Sequence, residues 1–123
     1  MKFILTFVLF VSVTSAFSQS TTQQKKDQAA IDAVIKAAKV VSAADLSCRT
    51  ASDCTAVAIG SRACGGPSSY MISSKNNDNA ELVTLLASKS GELEEAFNLK
   101  YQIFSICVLT MPPMPNCLAK KCN

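Results

Sequence analysis

The chain contains no histidine and no tryptophan, and only four glycines and four prolines among its 123 residues. The missing histidine excludes the most chemistry. Neither a Ser-His nor a Cys-His nucleophile pair can be built, and histidine-ligated metal sites are ruled out. No Cys-x-x-Cys pair offers a thioredoxin-like redox motif, and no Asn-x-Ser/Thr sequon offers an N-glycan acceptor. Charge of one sign is scarce as well. The net charge is only +3, and Lys25-Lys26 and Lys120-Lys121 are isolated pairs, so no basic stripe points to nucleic acid. Beyond the first residues there is no long apolar run.

That first run is an export leader in form. Lys2 supplies a positive start, Phe3 to Val13 is apolar apart from Thr6 and Ser12, and Thr14-Ser15-Ala16 are small. The run is shorter than the about 20 apolar residues a spanning helix needs, so the expectation is a cleaved signal peptide over residues 1–18, cut between Ala16 and Ser18. Cleavage removes Lys2 alone and lowers the net charge from +3 to +2. The expected product has no transmembrane anchor and is secreted or periplasmic.

What the chain does have is cysteine. Cys48, Cys54, Cys64, Cys107, Cys117 and Cys122 all follow the leader. An even count behind an export signal implies three disulfides in an oxidising compartment. The intervals between them hold 5, 9, 42, 9 and 4 residues, unlike the usual zinc spacing. Their near mirror symmetry hints at strands paired from the two ends of the domain, although six cysteines permit fifteen connectivities. No metal or cofactor site is expected.

The rest of the chain divides into a polar linker at 19–28, an amphipathic helix at 29–46 and a disulfide-stapled domain at 47–123. Ile31, Val34, Ile35, Ala38 and Val41 form one face of the helix. "CRTASDC" is a polar turn between cysteines, and "CTAVAIG" contains a short strand. Gly65-Gly66-Pro67 is strong turn punctuation before a second strand with Tyr70 and Ile72. Asp78 is placed to cap a helix with Glu81 three residues on, and Leu82, Leu85 and Leu86 mark its stripe. Ser88 to Gly91 should interrupt it. A further helix carries Leu93, Phe97, Tyr101 and Phe104 on one face, with Glu92, Glu94 and Glu95 in its first turn. The pattern predicts an α+β fold: a short antiparallel sheet from residues 54–59, 68–73, 104–110 and 117–122, covered by helices, with an extra N-terminal helix.

Carboxylates are the only acid–base groups in quantity. Glu92, Glu94 and Glu95 suit a helix start and a solvated surface, while Asp53 and Asp78 suit turns. "CGGP" lacks the lysine of a phosphate-binding loop. No catalytic residue is assigned, and the expected activity is binding to a protein partner through a loop held rigid by disulfides. The candidate loops are 49–53, the turn holding Arg62, Gly65, Gly66 and Pro67, and the segment "CVLTMPPMPNC" at 107–117.

The order Cys107, Val108, Leu109, Thr110, Met111, Pro112, Pro113 resembles the inhibitory loop of the Bowman–Birk family of serine-protease inhibitors. The resemblance implies that Leu109 enters the primary pocket of a chymotrypsin- or elastase-like protease. It also places Thr110 where the family has serine and Pro112 where it has a cis proline. The family's loop is two residues shorter, since Met114, Pro115 and Asn116 here follow Pro113 before Cys117. A Cys107–Cys117 bridge would close the segment as a bait. Pairing elsewhere would make it a connection. On the opposite reading, Ile103 to Leu109 is a buried strand that the prolines stop.

Over residues 48–122 the chain is also similar to small exported six-cysteine bacterial proteins of unassigned role. Cys48 with Ser52-Asp53-Cys54, Cys64 to Pro67 with Tyr70, Ser105 with Cys107, and Pro112-Pro113 carry that likeness, which implies a folded family and no activity. A different class of function remains open from sequence: a structural or envelope-associated protein that docks through the 29–46 helix.

Overall fold

A computed structural model describes the backbone of residues 14–123 and the side chains of residues 21–123. The charged start and apolar run of the expected leader, residues 1–13, lie outside the described residues. The architecture is α+β, as expected. Two helices, α1 (Thr14–Ala44) and α2 (Ala80–Lys100), pack on a two-stranded antiparallel ribbon of β1 (Cys54–Ile59) and β2 (Ser69–Ser74). A minimal hairpin of β3 (Cys117–Leu118) and β4 (Lys121–Cys122) closes the chain, so the expected strand at 117–122 is instead two short strands paired with each other and outside the β1–β2 sheet.

Helix α1 is one uninterrupted element, so residues 19–28 are helical rather than a linker. Gln, Lys, Ala and Asp are tolerable or good helix formers, and side-chain pairs one turn apart support the polar stretch. Gln23 Nε2 donates to Asp27 Oδ1 at 2.7 Å and Gln28 Nε2 to Asp32 Oδ1 at 3.0 Å. Asp27 also ties the element to the end of α2, where Lys100 Nζ and Tyr101 Oη donate to its Oδ2 at 2.7 and 2.8 Å. The Phe97 and Tyr101 rings meet one turn apart in a tilted contact, centroids 4.7 Å apart.

Helix α2 runs straight through Ser88–Gly91, where a break was expected. Its buried face is Val83, Ala87 and Ser90 with Leu86 half-buried, whereas Leu82 and Leu85 of the expected stripe are exposed. The reason is a close approach. Gly91 lies under the Gly60 carbonyl, which a Cβ there would meet at 3.4 Å, and Ser90 Oγ accepts the Gly60 N–H at 2.9 Å. The small residues mark the side on which α2 touches the β1–β2 turn.

The ribbon has two different faces, as the two-residue period of a strand requires. Val57, Ile59 and Met71 face the helices and join Ile35, Ala38, Val83 and Ala87 in an aliphatic core. Cys54 and Ile72 face the other way, onto a second cluster of Cys48, Cys117, Cys122 and Leu46. That second cluster is largely sulfur, from the bridges Cys48–Cys117 and Cys54–Cys122. The third bridge is Cys64–Cys107, and no cysteine is free.

One buried asparagine joins the layers. Asn77 Nδ2 donates to the Val41 and Asp45 carbonyls at 2.9 and 3.1 Å, serving the otherwise unpaired carbonyls at the end of α1. Its Oδ1 accepts the Asn79 N–H at 2.8 Å at the start of α2. Asn79 is the N-cap position, one residue after the expected Asp78.

The expected strand over 104–110 is absent. After α2 the chain turns through Gln102 at φ 51° and runs from Ile103 to Asn116 without regular structure. Residues 112, 113 and 115 are prolines with no N–H to donate, and the Val108 carbonyl is taken by a side chain instead of a strand.

A candidate binding loop held on a glycine turn

The loop that leaves α2 has an anchor built from the turn between β1 and β2. That turn is bound to α2 by side chains from three of its turns. Ser90 takes the Gly60 N–H, and Glu94 Oε2 accepts from Ser61 N–H and Ser68 Oγ, each at 2.7 Å. Asn98 Nδ2 donates to the Ser61 carbonyl at 2.8 Å. Gly60 has φ +72°, and a Cβ there would lie 2.1 Å from Glu94 Oε2. Only glycine allows both the left-handed backbone and the carboxylate. Farther out, Gly65 and Gly66 at φ +106° and +78° close the turn, with Gly65 N–H donating to Arg62 O and Arg62 N–H to Gly66 O, both at 2.9 Å.

Three interactions fasten the loop to this turn. They are the Cys64–Cys107 disulfide, the Arg62 Nη1 donation to Val108 O at 2.8 Å, and the Cys64 N–H donation to Ser105 Oγ at 3.1 Å. The two candidate segments of the sequence, Arg62 to Pro67 and 107–117, are thus neighbours. The third, residues 49–53, makes no contact with the glycine turn and meets the 107–117 segment only at its far end, through Cys48–Cys117. Asp53 Oδ2 accepts the Arg49 and Thr50 N–H groups at 2.7 and 3.2 Å, which lowers its pKa and makes that turn structural.

The loop itself is apolar and faces outward. Phe104 is 92 % exposed, Leu109 83 % and Met114 96 %, which excludes a buried strand at this place. Ile106, Val108 and Met111 are exposed too, as are Pro112 and Pro113, and only Thr110 and Pro115 are half-covered. Cys107 and Cys117 do not pair with each other. Cys107 is held by Cys64 and Cys117 by Cys48, so the segment is clamped at both ends to separate parts of the body. No peptide bond among the described residues is cis, Pro112 included. A shallow cavity of about 270 Å³ lies beside the anchor, between Arg62, Ala63, Glu95, Asn98 and Leu99.

Of the carboxylates singled out from sequence, Glu92 pairs with Lys89 at 3.0 Å away from the loop, Glu95 lines the cavity beside the anchor, and Glu94 is consumed in holding the Gly60 turn. The Cys48, Cys54 and Cys122 sulfurs lie within 4.8 Å of one another, but all are oxidised in disulfides and offer no thiolate to a metal. The apolar stripe of α1 is spent on the core, with Ile31 and Ala38 buried. Sequence reasoning missed Ser90, Glu94 and Asn98 as the supports of the anchor. Their spacing of four residues on one helix face was the available signal.

Among the described residues no helix is long and apolar enough to cross a membrane. The three disulfides fit a protein that works outside the reducing cytoplasm. No family model, curated protein or solved structure matches the chain.

Proposed function

We propose that this is an exported binding domain, secreted or periplasmic, that presents residues 103–116 to a protein partner. Its most concrete form is inhibition of a chymotrypsin- or elastase-like serine protease, with Leu109 in the primary pocket. The observation that carries the reading is a large apolar side chain, 83 % exposed, between two cysteines that are each bonded to the body of the domain. A side chain so placed contributes nothing to the domain's own core and is available to fill a partner's pocket.

The clamp differs from that of the inhibitor family the segment resembles, because no bridge closes residues 107–117 on themselves. It reaches a similar end by other means. If the bond after Leu109 is cut, the first half stays tethered through Cys64–Cys107 and the second through Cys48–Cys117. Arg62 holds the carbonyl of Val108, directly before Leu109, at 2.8 Å. Held ends keep the cleaved termini close enough to re-ligate, and prior ordering reduces the entropy lost on docking. Docking through the 29–46 helix has less to offer a partner, because Ile35, Ala38 and Val41 of its stripe are packed into the core.

The test is direct. Oxidised protein should slow chymotrypsin or pancreatic elastase, and Leu109→Asp should weaken that inhibition by a factor of about 100 or more, since a buried unpaired carboxylate costs several kcal/mol. Absence of inhibition across a panel of serine proteases would end the inhibitor form.

A further inference from the structure

The three disulfides sit in two different environments. Cys48, Cys54 and Cys122 are buried at 4, 7 and 3 % exposure, and the two bridges they enter form the sulfur cluster beneath the ribbon. Cys64 and Cys107 are both exposed and belong to neither core. The chain around Cys64 is open, because nothing lies within 4 Å of a Cβ built on Gly65 or Gly66. Arg62, two residues from Cys64, donates to the carbonyl of the residue after Cys107, so one guanidinium is held in the same neighbourhood as the bridge.

Exchange at a disulfide requires a thiolate to reach one sulfur while the other leaves as thiolate. Access and the stability of the leaving thiolate govern the rate, and a nearby cation favours that thiolate. We infer that Cys64–Cys107 is a site of thiol–disulfide exchange at which a dithiol reductant unlocks the apolar loop while the other two bridges stay closed. One thiolate of the reductant attacks Sγ of Cys64 or Cys107. The Sγ–Sγ bond breaks, a mixed disulfide forms, and the other cysteine departs as thiolate. The second thiol of the reductant then displaces the mixed disulfide. The reductant ends as its own disulfide, and its two protons pass to Cys64 and Cys107.

The consequence for the loop follows from what else holds it. Between the end of α2 and Cys117, Cys64–Cys107 is the single covalent anchor. Beyond the bridge, the anchoring turn keeps only the Arg62 bond to Val108 O and the Ser105 bond to Cys64 N–H. Opening the bridge frees the first half of residues 103–116 while the ribbon, helices and C-terminal hairpin keep their contacts. The chemistry stands on exposure alone, whereas its effect on activity rests on the loop being the binding element.

The experiment uses the full oxidised chain in a graded series of dithiothreitol concentrations, with free thiols trapped by iodoacetamide and located by peptide mass spectrometry. Cys64 and Cys107 should become alkylated together at about a tenfold lower dithiol concentration than the other four cysteines. Far-UV circular dichroism of that species should match the oxidised protein. First opening of Cys48–Cys117 or Cys54–Cys122, or loss of all three bridges in one step, overturns the site. In a second arm the singly reduced, alkylated species is assayed on chymotrypsin beside the oxidised protein. Weaker inhibition, by about tenfold or more, supports unlocking, and equal inhibition overturns it. If the oxidised protein does not inhibit at all, the reading of the loop has failed, and the alkylation order alone decides the exchange site.

Discussion

Single residues do more here than the composition promises, because there are few of them to spare. With four glycines in the chain, Gly60 is the one whose replacement the structure forbids on two grounds, a left-handed backbone and a carboxylate in the space of its Cβ. Gly60→Ala should therefore lower unfolding stability by about 1–3 kcal/mol in urea titration, the usual cost of a strained backbone position, with further loss if Glu94 is displaced. A fall below a few tenths of a kcal/mol would mean that the Glu94 contact is not as drawn. Asn77 shows why such residues escape a sequence reading. "NNDN" announces a helix boundary, and the boundary is there. Which of the four turns inward to serve the α1 carbonyls depends on where α1 ends in space, and composition carries no trace of that.

At the scale of elements, what was legible followed period and punctuation. The strand at 54–59, the second strand to within one residue of its expected 68–73, and the start of the helix after residue 79 were readable because each is periodic and bounded by glycine or asparagine. The face of α2 was not. Leu82, Leu85 and Leu86 fit a stripe, but Val83, Leu86, Ala87 and Ser90 fit the same spacing, and the choice was made by the need for small residues against Gly60. Ile103 to Leu109 read as a strand because β-branched and aromatic residues favour strands, a preference that needs a neighbour to pair with. Residues 19–28 of α1 have the composition of a linker because their support comes from α2, through Lys100 and Tyr101 on Asp27.

That last junction should be acid-sensitive. Hydrogen bonds from Lys100, Tyr101 and Gln23 bring the Asp27 carboxyl from its ordinary 3.8 to about 2. A carboxyl depressed on folding stabilises fully above its unfolded value and loses that contribution as pH falls through the folded one. Lys100 is exposed and Asp27 only half-buried, so the effect is modest and should shrink in high salt. Asp45 and Asp53 are lowered too, by backbone N–H groups, so the comparison must be with Asp27→Asn. Thermal midpoints followed from pH 5 to 2 should fall more steeply in the native chain than in that variant. Parallel curves would show that Asp27 does not hold α1 to α2.

For the whole molecule, the governing feature is a two-stranded ribbon with a different kind of interior on each face, aliphatic toward the helices and disulfide toward the hairpin. A two-stranded ribbon alone is marginal, and a domain this size buries limited apolar area. Bridges spanning 69, 68 and 43 residues compensate, each worth about 2–4 kcal/mol. Two of them make the second interior, and the third fastens the exposed loop. The mirror-like cysteine intervals hinted that the two ends of the domain meet, and all three bridges join the first three cysteines to the last three. The sequence could not say that the outer two cross instead of nest, since that depends on the hairpin placing Cys117 against Cys48 and Cys122 against Cys54. The disulfide map of native protein tests this account most directly. Under non-reducing conditions cleavage at Met111 or Met114 separates Cys107 from Cys117, trypsin after Arg49, Arg62 and Lys121 separates the other cysteines from one another, and mass spectrometry then reads the partners. The account predicts Cys48–Cys117, Cys54–Cys122 and Cys64–Cys107, and a Cys107–Cys117 bridge would contradict it.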